Sequence, residues 1–244
     1  MAPARFALPV LALALALACG RGASDAKPGD AAHVPGALAR IDAGPHDVAV
    51  LDLGDLGTVR IELLPELAPR TVESFEKLAE QGFYDGTTFH RVIPGFMIQG
   101  GDPNSRNKDP RDDGRGGPGY TLPDEFSDYP HVRGTVSMAN TGSRDSAGSQ
   151  FFIVQQDSRF LDGGYTAFGR VVQGIEAVDA VTRLPIDVYG RYGPRDRPYP
   201  TNAVIRSVRI EHARLAARSA DAPANAAAAP PGSVTRLDPP RPPG

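Results

Sequence analysis

Apolar and polar residues alternate in two short runs in the central part of the chain. The first run spans residues 48–53, and the second places Val59, Ile61 and Leu63 at alternate positions. A period of two is typical of a strand with one buried face. Residues 54–57, which include two glycines, are typical of a hairpin connection. The sequence therefore predicts an antiparallel pair of strands.

The apolar period changes to that of a helix after Pro69. The next apolar residues lie on one helical face: Val72, Phe75, Leu78 and Ala79. Proline suits the first position of a helix and glycine the position after its end, so Pro69 and Gly82 bound the predicted helix. A second helix is predicted over residues 175–184, where apolar residues recur at three-residue steps.

Short runs rich in β-branched and aromatic residues fill most of the remaining central region. They predict strands at residues 87–93, 96–99, 135–139, 150–154, 167–172 and 204–210. Many short strands with two isolated helices favour a closed antiparallel barrel with helices at its ends over repeated βαβ units. The predicted fold class is therefore mainly β.

The first 19 residues have the pattern of an export signal. A single basic residue, Arg5, precedes an uncharged apolar run over residues 6–18. This run is too short to span a bilayer as a helix but suits the apolar core of a signal peptide. We therefore expect residues 1–19 to be a signal peptide and the mature protein to be exported.

Cys19, the only cysteine, directly follows this apolar run. Its surroundings resemble a bacterial lipobox, with Ala18 before the cysteine and Gly20 after it. Residues 16–18, Ala-Leu-Ala, also fit the A-x-A site of ordinary signal peptidase. Two outcomes stay open: lipidation of Cys19, giving a membrane-anchored lipoprotein facing the periplasm or the cell exterior, or release as a soluble periplasmic protein. With one cysteine, an intramolecular disulfide is excluded.

Composition divides the rest of the chain into three segments. Residues 20–45 are rich in Gly, Ala, Asp and Pro without an apolar period, which is typical of a flexible linker. Residues 213–244 are rich in Ala and Pro, which is typical of a disordered tail. Residues 46–212 lack internal repeats and are predicted to form one domain.

Charge narrows the choice of partners. The chain carries 26 basic and 29 acidic residues, for a net charge of -3, and no basic block that would follow a phosphate backbone. Nucleic acid is therefore excluded as a partner. We expect a monomer that contacts a membrane only through an N-terminal lipid, if Cys19 carries one.

Sequence motifs in the predicted domain follow one another in a characteristic order. They are FHRVIPGFMIQGGD at residues 89–102, SMAN at 137–140, GSQFFI at 148–153, and LDG at 161–163 with a later FGRV at 168–171. Together they resemble the cyclophilin family of peptidyl-prolyl cis-trans isomerases. The resemblance implies a closed eight-stranded antiparallel β-barrel capped by two α-helices. It also implies isomerisation of X-Pro bonds in proline-containing polypeptides, with no cofactor and no metal.

This reaction defines the chemistry that the site must supply. Rotation about a peptide C–N bond faces a barrier of about 18–20 kcal/mol because resonance stiffens the bond. In the twisted transition state the proline nitrogen becomes pyramidal and accepts a hydrogen bond, so a donor aimed there lowers only the barrier. A guanidinium stays charged and offers several donors. Arg91 alone would be an ordinary solvated strand residue, but within the FHR motif it is the candidate catalytic residue, and Gln99 is expected to brace it.

Proline recognition needs a small apolar cavity and polar groups that hold the flanking backbone. By resemblance, the substrate-binding residues are Phe96, Met97, Ala139, Asn140, Gln150, Phe152, Phe160, Leu161 and Tyr165. The main chain of Asn140 is expected to pair with substrate, and Phe151 to pack in the core on the opposite face of its strand. Phe160 and Tyr165 stand where many family members carry Trp and His, so we expect weak cyclosporin binding with catalysis retained.

Two other functions stay open. The first is a non-catalytic module or holdase chaperone that retains Pro-containing segments in the same groove. Arg91 argues against it, because pure binding gains nothing from a donor aimed at a twisted nitrogen. The second is a scaffold lipoprotein with an incidental barrel. It predicts a degraded pocket, whereas the predicted pocket is intact apart from Phe160 and Tyr165.

Two further groups of residues suggest chemistry that the sequence does not support. His90 is expected to be structural, because isomerisation needs no proton transfer and no triad-like pattern surrounds this residue. The loop with Asp109, Asp112 and Asp113 lacks the spacing and the closing Glu of an EF-hand. We expect this loop to be a solvated insertion without a metal.

Overall fold

The structure is a computed structural model, and it describes residues 45–199 and 202–213. Ten strands form there: β1 (Val48–Asp52), β2 (Thr58–Leu63), β3 (Arg91–Ile93), β4 (Met97–Gly100), β5 (Thr135–Met138), β6 (Phe151–Val154), β7 (Ala167–Gln173), β8 (Ile186–Asp187), β9 (Arg197–Pro198) and β10 (Ser207–Glu211). Two α-helices accompany them, α1 (Pro69–Glu80) and α2 (Ile175–Thr182). The predicted signal peptide with Cys19, nearly all of the linker and the tail beyond Ala213 lie outside the described residues. The domain boundaries stay a prediction.

Eight of the strands form one antiparallel sheet in the order β10-β1-β2-β7-β5-β6-β4-β3. Residues directly opposite each other in such a sheet share a face. Val92, Ile98, Ile153 and Val136 form one row across β3, β4, β6 and β5, and all four are fully buried. The sheet curls around this row and the rest of the main core. The mainly β antiparallel fold with two helices, predicted from the sequence, is confirmed.

The barrel is less closed than the sequence led us to expect. Its edge strands β3 and β10 do not pair with each other. The backbone just before each of them pairs instead, with the N–H of Phe89 donating to the carbonyl of Ala203 (2.9 Å) and an isolated bridge between Thr88 and Val204. One reason lies at the free edge of β3, where the N–H of Val92 donates to the carbonyl of Asp196 (2.7 Å) and not to β10. The sheet is therefore a curled half-barrel, and the prediction of a closed barrel overstated its closure.

Helix α1 packs its predicted apolar face into the core. The buried residues of this face are Val72, Phe75, Leu78 and Ala79. Glu125, distant in sequence, caps its first turn by accepting hydrogen bonds from the N–H groups of Arg70 (3.1 Å) and Thr71 (2.9 Å). A carboxylate there satisfies free donors and complements the helix dipole. At the other end Gly82 has φ +68°, a left-handed conformation that glycine adopts without strain.

The short hairpin of β8 and β9 was not predicted. Its strands have two residues each and pair only with each other. The hairpin lies beside β3, where the N–H of Val92 donates to the carbonyl of Asp196 (2.7 Å). Within residues 45–199 and 202–213, no helix has the length and hydropathy needed to cross a membrane.

Candidate active site

The strand register places the predicted catalytic guanidinium beside a polar and an aromatic residue. Arg91 of β3 stands opposite Gln99 of β4, and Gln99 stands opposite Phe152 of β6. This row alternates with the fully buried row described above, so it lies on the other face of the sheet. Three residues that are far apart in sequence are thereby neighbours on the face away from the main core.

A cavity of about 80 Å³ lies on this face. Its volume is well below the roughly 300–1,000 Å³ of sites for drug-sized ligands, so it admits only a small group. Nine residues line it, all of them predicted from the motifs: Arg91, Phe96, Met97, Gln99, Ala139, Asn140, Phe152, Leu161 and Tyr165. We call this cavity the apolar slot.

The walls of the apolar slot form a small hydrophobic cluster that is separate from the main core. Its buried members are Met97, Phe152, Val154 and Leu161. The rings of Phe152 and Tyr165 meet at 89° with their centroids 5.4 Å apart. This edge-to-face arrangement is favourable for aromatic pairs. This contact orients the two rings that form a wall of the slot.

Arg91 is exposed at the rim of the slot. Its guanidinium forms no hydrogen bond or ion pair with any other described residue, so its donors are available to a ligand. No hydrogen bond joins Gln99 to Arg91 in the described structure, and the Gln99 amide nitrogen donates to the side-chain oxygen of Gln150 (3.0 Å). The catalytic roles of Arg91 and Gln99 stay predictions.

Asn140 has a free main chain beside the slot. Its side chain is held at both ends, donating to the carbonyl of Gly164 (3.2 Å) and accepting from the N–H of Gly142 (3.0 Å). Its own N–H and carbonyl form no hydrogen bond within the described part of the chain. They are therefore available to the backbone of a bound peptide, and this pairing stays a prediction.

Two of the predicted binding residues lie next to the slot without lining it. Gln150 lines an adjoining open groove of about 480 Å³, and its amide donates to the carbonyl of Gly116 (2.9 Å). Phe160 is 77% exposed, and its ring centroid lies 5.4 Å from that of Phe96. Phe160 therefore extends the apolar wall towards solvent and would contact a ligand only from outside.

Comparison with known proteins identifies the family. Residues 48–213 match the family model described as "Cyclophilin type peptidyl-prolyl cis-trans isomerase/CLD". The chain belongs to the cyclophilin family. The fold, the family and the enzyme class predicted from the sequence are thus confirmed.

Similar proteins of known name carry the same enzyme class. This cyclophilin is 49% identical over 146 residues to the "Probable peptidyl-prolyl cis-trans isomerase" of Brucella suis biovar 1 (strain 1330), covering 58% of this chain and 74% of the relative. It is 51% identical over 126 residues to "Peptidyl-prolyl cis-trans isomerase B" of Bacillus subtilis (strain 168), covering 51% and 82%. A crystal structure of a Cryptosporidium parvum cyclophilin type isomerase, obtained in the presence of the dipeptide Ala-Pro, matches with a TM-score of 0.58 and 29% identity, over 67% of this chain and 98% of that one.

His131, which lies outside the sequence motifs, supports the slot of this cyclophilin from behind. Its ring stacks on Phe152 (6.1 Å, 21°) and meets Tyr165 edge-on (6.3 Å, 72°). Nδ1 lies 3.1 Å from the Asp162 carboxylate, and Nε2 lies 2.9 Å from the Ser137 hydroxyl. A neutral ring satisfies both contacts, with Nδ1–H donating and Nε2 accepting. Sequence reasoning missed this residue because only the fold brings it under Phe152.

The pH dependence of stability follows from this buried ring. Burial lowers the pKa of His131 below its ordinary value of 6.5. Below pH 6.5 the unfolded chain therefore takes up a proton that the folded ring does not, so the free energy of unfolding decreases as the pH falls. We expect a His131→Asn variant to lose part of this slope. Denaturant unfolding at a series of pH values measures both slopes, and equal slopes would contradict the prediction.

His90 and Asp113 are both buried. His90, expected to be structural, has no hydrogen-bond partner on either ring nitrogen among the described residues, and burial lowers its pKa.

Asp113 was expected to be solvated, and this was wrong. Its carboxylate accepts a hydrogen bond from Nε of Arg197 (2.8 Å), in the β8–β9 hairpin that covers it, and burial raises its pKa. In the described part of the chain, no group of three or more His, Cys, Asp or Glu residues could hold a metal ion.

Proposed function

We propose that this cyclophilin accelerates rotation about X-Pro bonds of exported polypeptides, with the proline ring in the apolar slot and Arg91 donating to the proline nitrogen. The observation that carries the proposal is an unpaired guanidinium at the rim of a small apolar cavity. The nitrogen accepts a hydrogen bond only when the amide twists, so this donor favours the transition state over the ground state.

The slot and its neighbouring residues supply two further requirements of the reaction, an apolar surface for the amide and groups that hold the peptide backbone. The planar amide is stiffened by a dipolar resonance form, which loses stability when an apolar surface replaces water. The rings of Phe152 and Tyr165 provide such a surface. The free N–H and carbonyl of Asn140 hold the peptide backbone in an extended pose, so that rotation is confined to one side of the bond.

A non-catalytic holdase is the second candidate. It is favoured by Phe160, whose exposed ring next to Phe96 enlarges the apolar surface beyond the slot and would retain peptide without twisting it. Turnover separates the two functions. A holdase keeps its binding when Arg91 is replaced and shows no isomerisation before or after.

The cellular setting of the proposal rests on the N-terminal sequence. An apolar run of signal-peptide length ends at Cys19 within a lipobox-like sequence. We propose that the enzyme acts in the cell envelope as a monomeric lipoprotein anchored through Cys19, assisting the folding of proline-containing proteins there. Cleavage after Ala18 and release as a soluble periplasmic protein is the alternative outcome.

Two measurements test this proposal. The purified chain from residue 20 onwards should isomerise a short X-Pro peptide in a protease-coupled assay, and absence of turnover would leave only the binding function. For the location, the full chain is expressed in a bacterial host and the mass of its N-terminal peptide is determined, with Cys19→Ser as control. Lipid on Cys19 and membrane association lost in the control support the anchor, whereas an unmodified soluble product overturns it.

A further inference from the structure

A second cavity, of about 500 Å³, lies between the loop of residues 105–110 and the segment that contains Tyr192, Arg197 and Tyr199. We call it the basic cavity. None of its lining residues lines the apolar slot. Its volume falls within the range of roughly 300–1,000 Å³ that is typical of ligand sites. The proposed isomerisation makes no use of it.

The charges that line the basic cavity are all positive. Among the residues that the structure describes, Arg106, Lys108 and Arg197 line it, and no Asp or Glu does, although the chain as a whole has a net charge of -3. The Arg106 guanidinium donates to backbone carbonyls, among them that of Asp85 (3.0 Å), and has no carboxylate partner in the described residues. Lys108 is exposed and likewise forms no ion pair there. Positive charge confined in this way attracts anions.

Two lining residues are buried and polar. Arg197 is 7% exposed, and only its Nε is used by Asp113 (2.8 Å). Thr88 is 4% exposed, yet its hydroxyl has no hydrogen-bond partner in the described structure. A buried hydroxyl without a partner costs about 1–3 kcal/mol, so such groups are normally satisfied. Arg197 therefore keeps donors for a ligand, whereas the Thr88 hydroxyl is covered and offers no direct contact.

The remaining wall is aromatic. The rings of Tyr192 and Tyr199 stack at 4.1 Å and 9°, and the residues are 52% and 38% exposed. Such a flat surface suits the backbone or a side-chain ring of an extended peptide, since tyrosine offers apolar area with a polar tip. The cavity therefore combines cations with an aromatic face.

The basic cavity and the apolar slot are close along the backbone. Thr88 lines the cavity and Arg91 lines the slot. Three residues of extended chain span at most about 11 Å between Cα atoms, which bounds the distance between these two lining residues. The C-terminal tail of the same chain is not complementary, because its last nine residues carry two Arg and one Asp.

We propose that the basic cavity is a second binding site of this isomerase, which takes an acidic segment of the same polypeptide whose proline occupies the slot. Carboxylates of Asp or Glu would contact Lys108 and the free donors of Arg197. This proposal rests on the proposed function in one respect, namely that the ligand is a polypeptide.

A binding experiment without turnover tests the proposal separately from catalysis. Fluorescence anisotropy with the full mature chain compares a proline-free Glu-rich peptide with the same peptide carrying Gln. We expect binding of the Glu-rich peptide to be about tenfold tighter, since charge-assisted hydrogen bonds are worth about 1.5–3 kcal/mol, and to weaken with salt. Equal binding of the two peptides would overturn the proposal.

Variants locate the binding. Lys108→Gln is expected to reduce the preference for Glu about three- to tenfold, whereas Lys77→Gln, the same charge change on the exposed face of α1, should leave it intact. If the Lys77 and Lys108 variants lost the preference for the Glu-rich peptide equally, the preference would come from net charge. That result would overturn the proposed site.

Discussion

Replacing Arg91 by alanine is expected to lower kcat/KM for X-Pro isomerisation by about two to three decades. One well-placed charged donor that acts on the transition state is worth about 3–4 kcal/mol, and this sets the magnitude. The guanidinium lies at the rim of the apolar slot. The guanidinium has no other partner in the described structure. The substitution therefore removes hydrogen bonds to a ligand only. Protease-coupled kinetics on a short peptide, at several peptide concentrations, measures the change.

Arg91→Lys is the informative control. Lysine keeps the charge but not the planar donor array, so a partial recovery of turnover would separate charge from geometry. Both variants should unfold within about 0.5 kcal/mol of the parent, because Arg91 is exposed and makes no side-chain hydrogen bond to the described residues. Unchanged kcat/KM in both variants would remove Arg91 from the mechanism.

A donor of this kind cannot supply the whole acceleration. A rate gain of about five decades corresponds to roughly 7 kcal/mol, about twice what one hydrogen bond to the transition state contributes. The remainder is expected from the apolar slot, because removing water from the dipolar planar amide raises its energy relative to the twisted form. The Arg91→Ala variant should therefore keep a residual activity above the uncatalysed rate.

Strand periodicity was enough to predict the central elements, whereas the residues of the slot were predicted from the family resemblance of the motifs. Adjacent residues of a strand point to opposite faces, so Phe151 and Phe152 were expected to separate. This expectation matches the register, in which Phe152 stands opposite Gln99 and Phe151 opposite Gly100. Residues that are placed by local alternation inside a recognisable motif are accessible to sequence reasoning.

Contacts between distant segments were not accessible. His131 and Arg197 carry no local signal, and each acquires its role from a partner far away in sequence, Phe152 for one and Asp113 for the other. The incomplete closure of the sheet has the same origin, because the carbonyl of Asp196, far away in sequence, takes the Val92 N–H on the free edge of β3. Such long-range competition for hydrogen bonds leaves no trace in periodicity.

Phe151 and Phe152 offer a direct test of how the two faces of β6 divide stability from function. Phe151 is fully buried, and its ring meets those of Phe75 and Tyr84 edge-on in the main core at centroid distances of 5.6 and 5.7 Å. Phe152 lies in the wall of the slot, perpendicular to Tyr165. Truncating a buried Phe to Ala costs about 3–5 kcal/mol of unfolding free energy.

We expect Phe152→Ala to lower kcat/KM of the folded protein by about 10- to 100-fold, because a proline ring loses an apolar contact worth about 1.5–3 kcal/mol. Phe151→Ala should lower the free energy of unfolding at least as much as Phe152→Ala does. It should change kcat/KM of the folded fraction by less than about threefold. Urea unfolding gives the free energy of unfolding of both variants, and kinetics gives their kcat/KM. If either alanine variant fails to fold, leucine at each position repeats the comparison with a smaller loss. If the two variants reduced kcat/KM equally, Phe152 would act through the stability of the sheet, and the slot would not be the place where the proline binds.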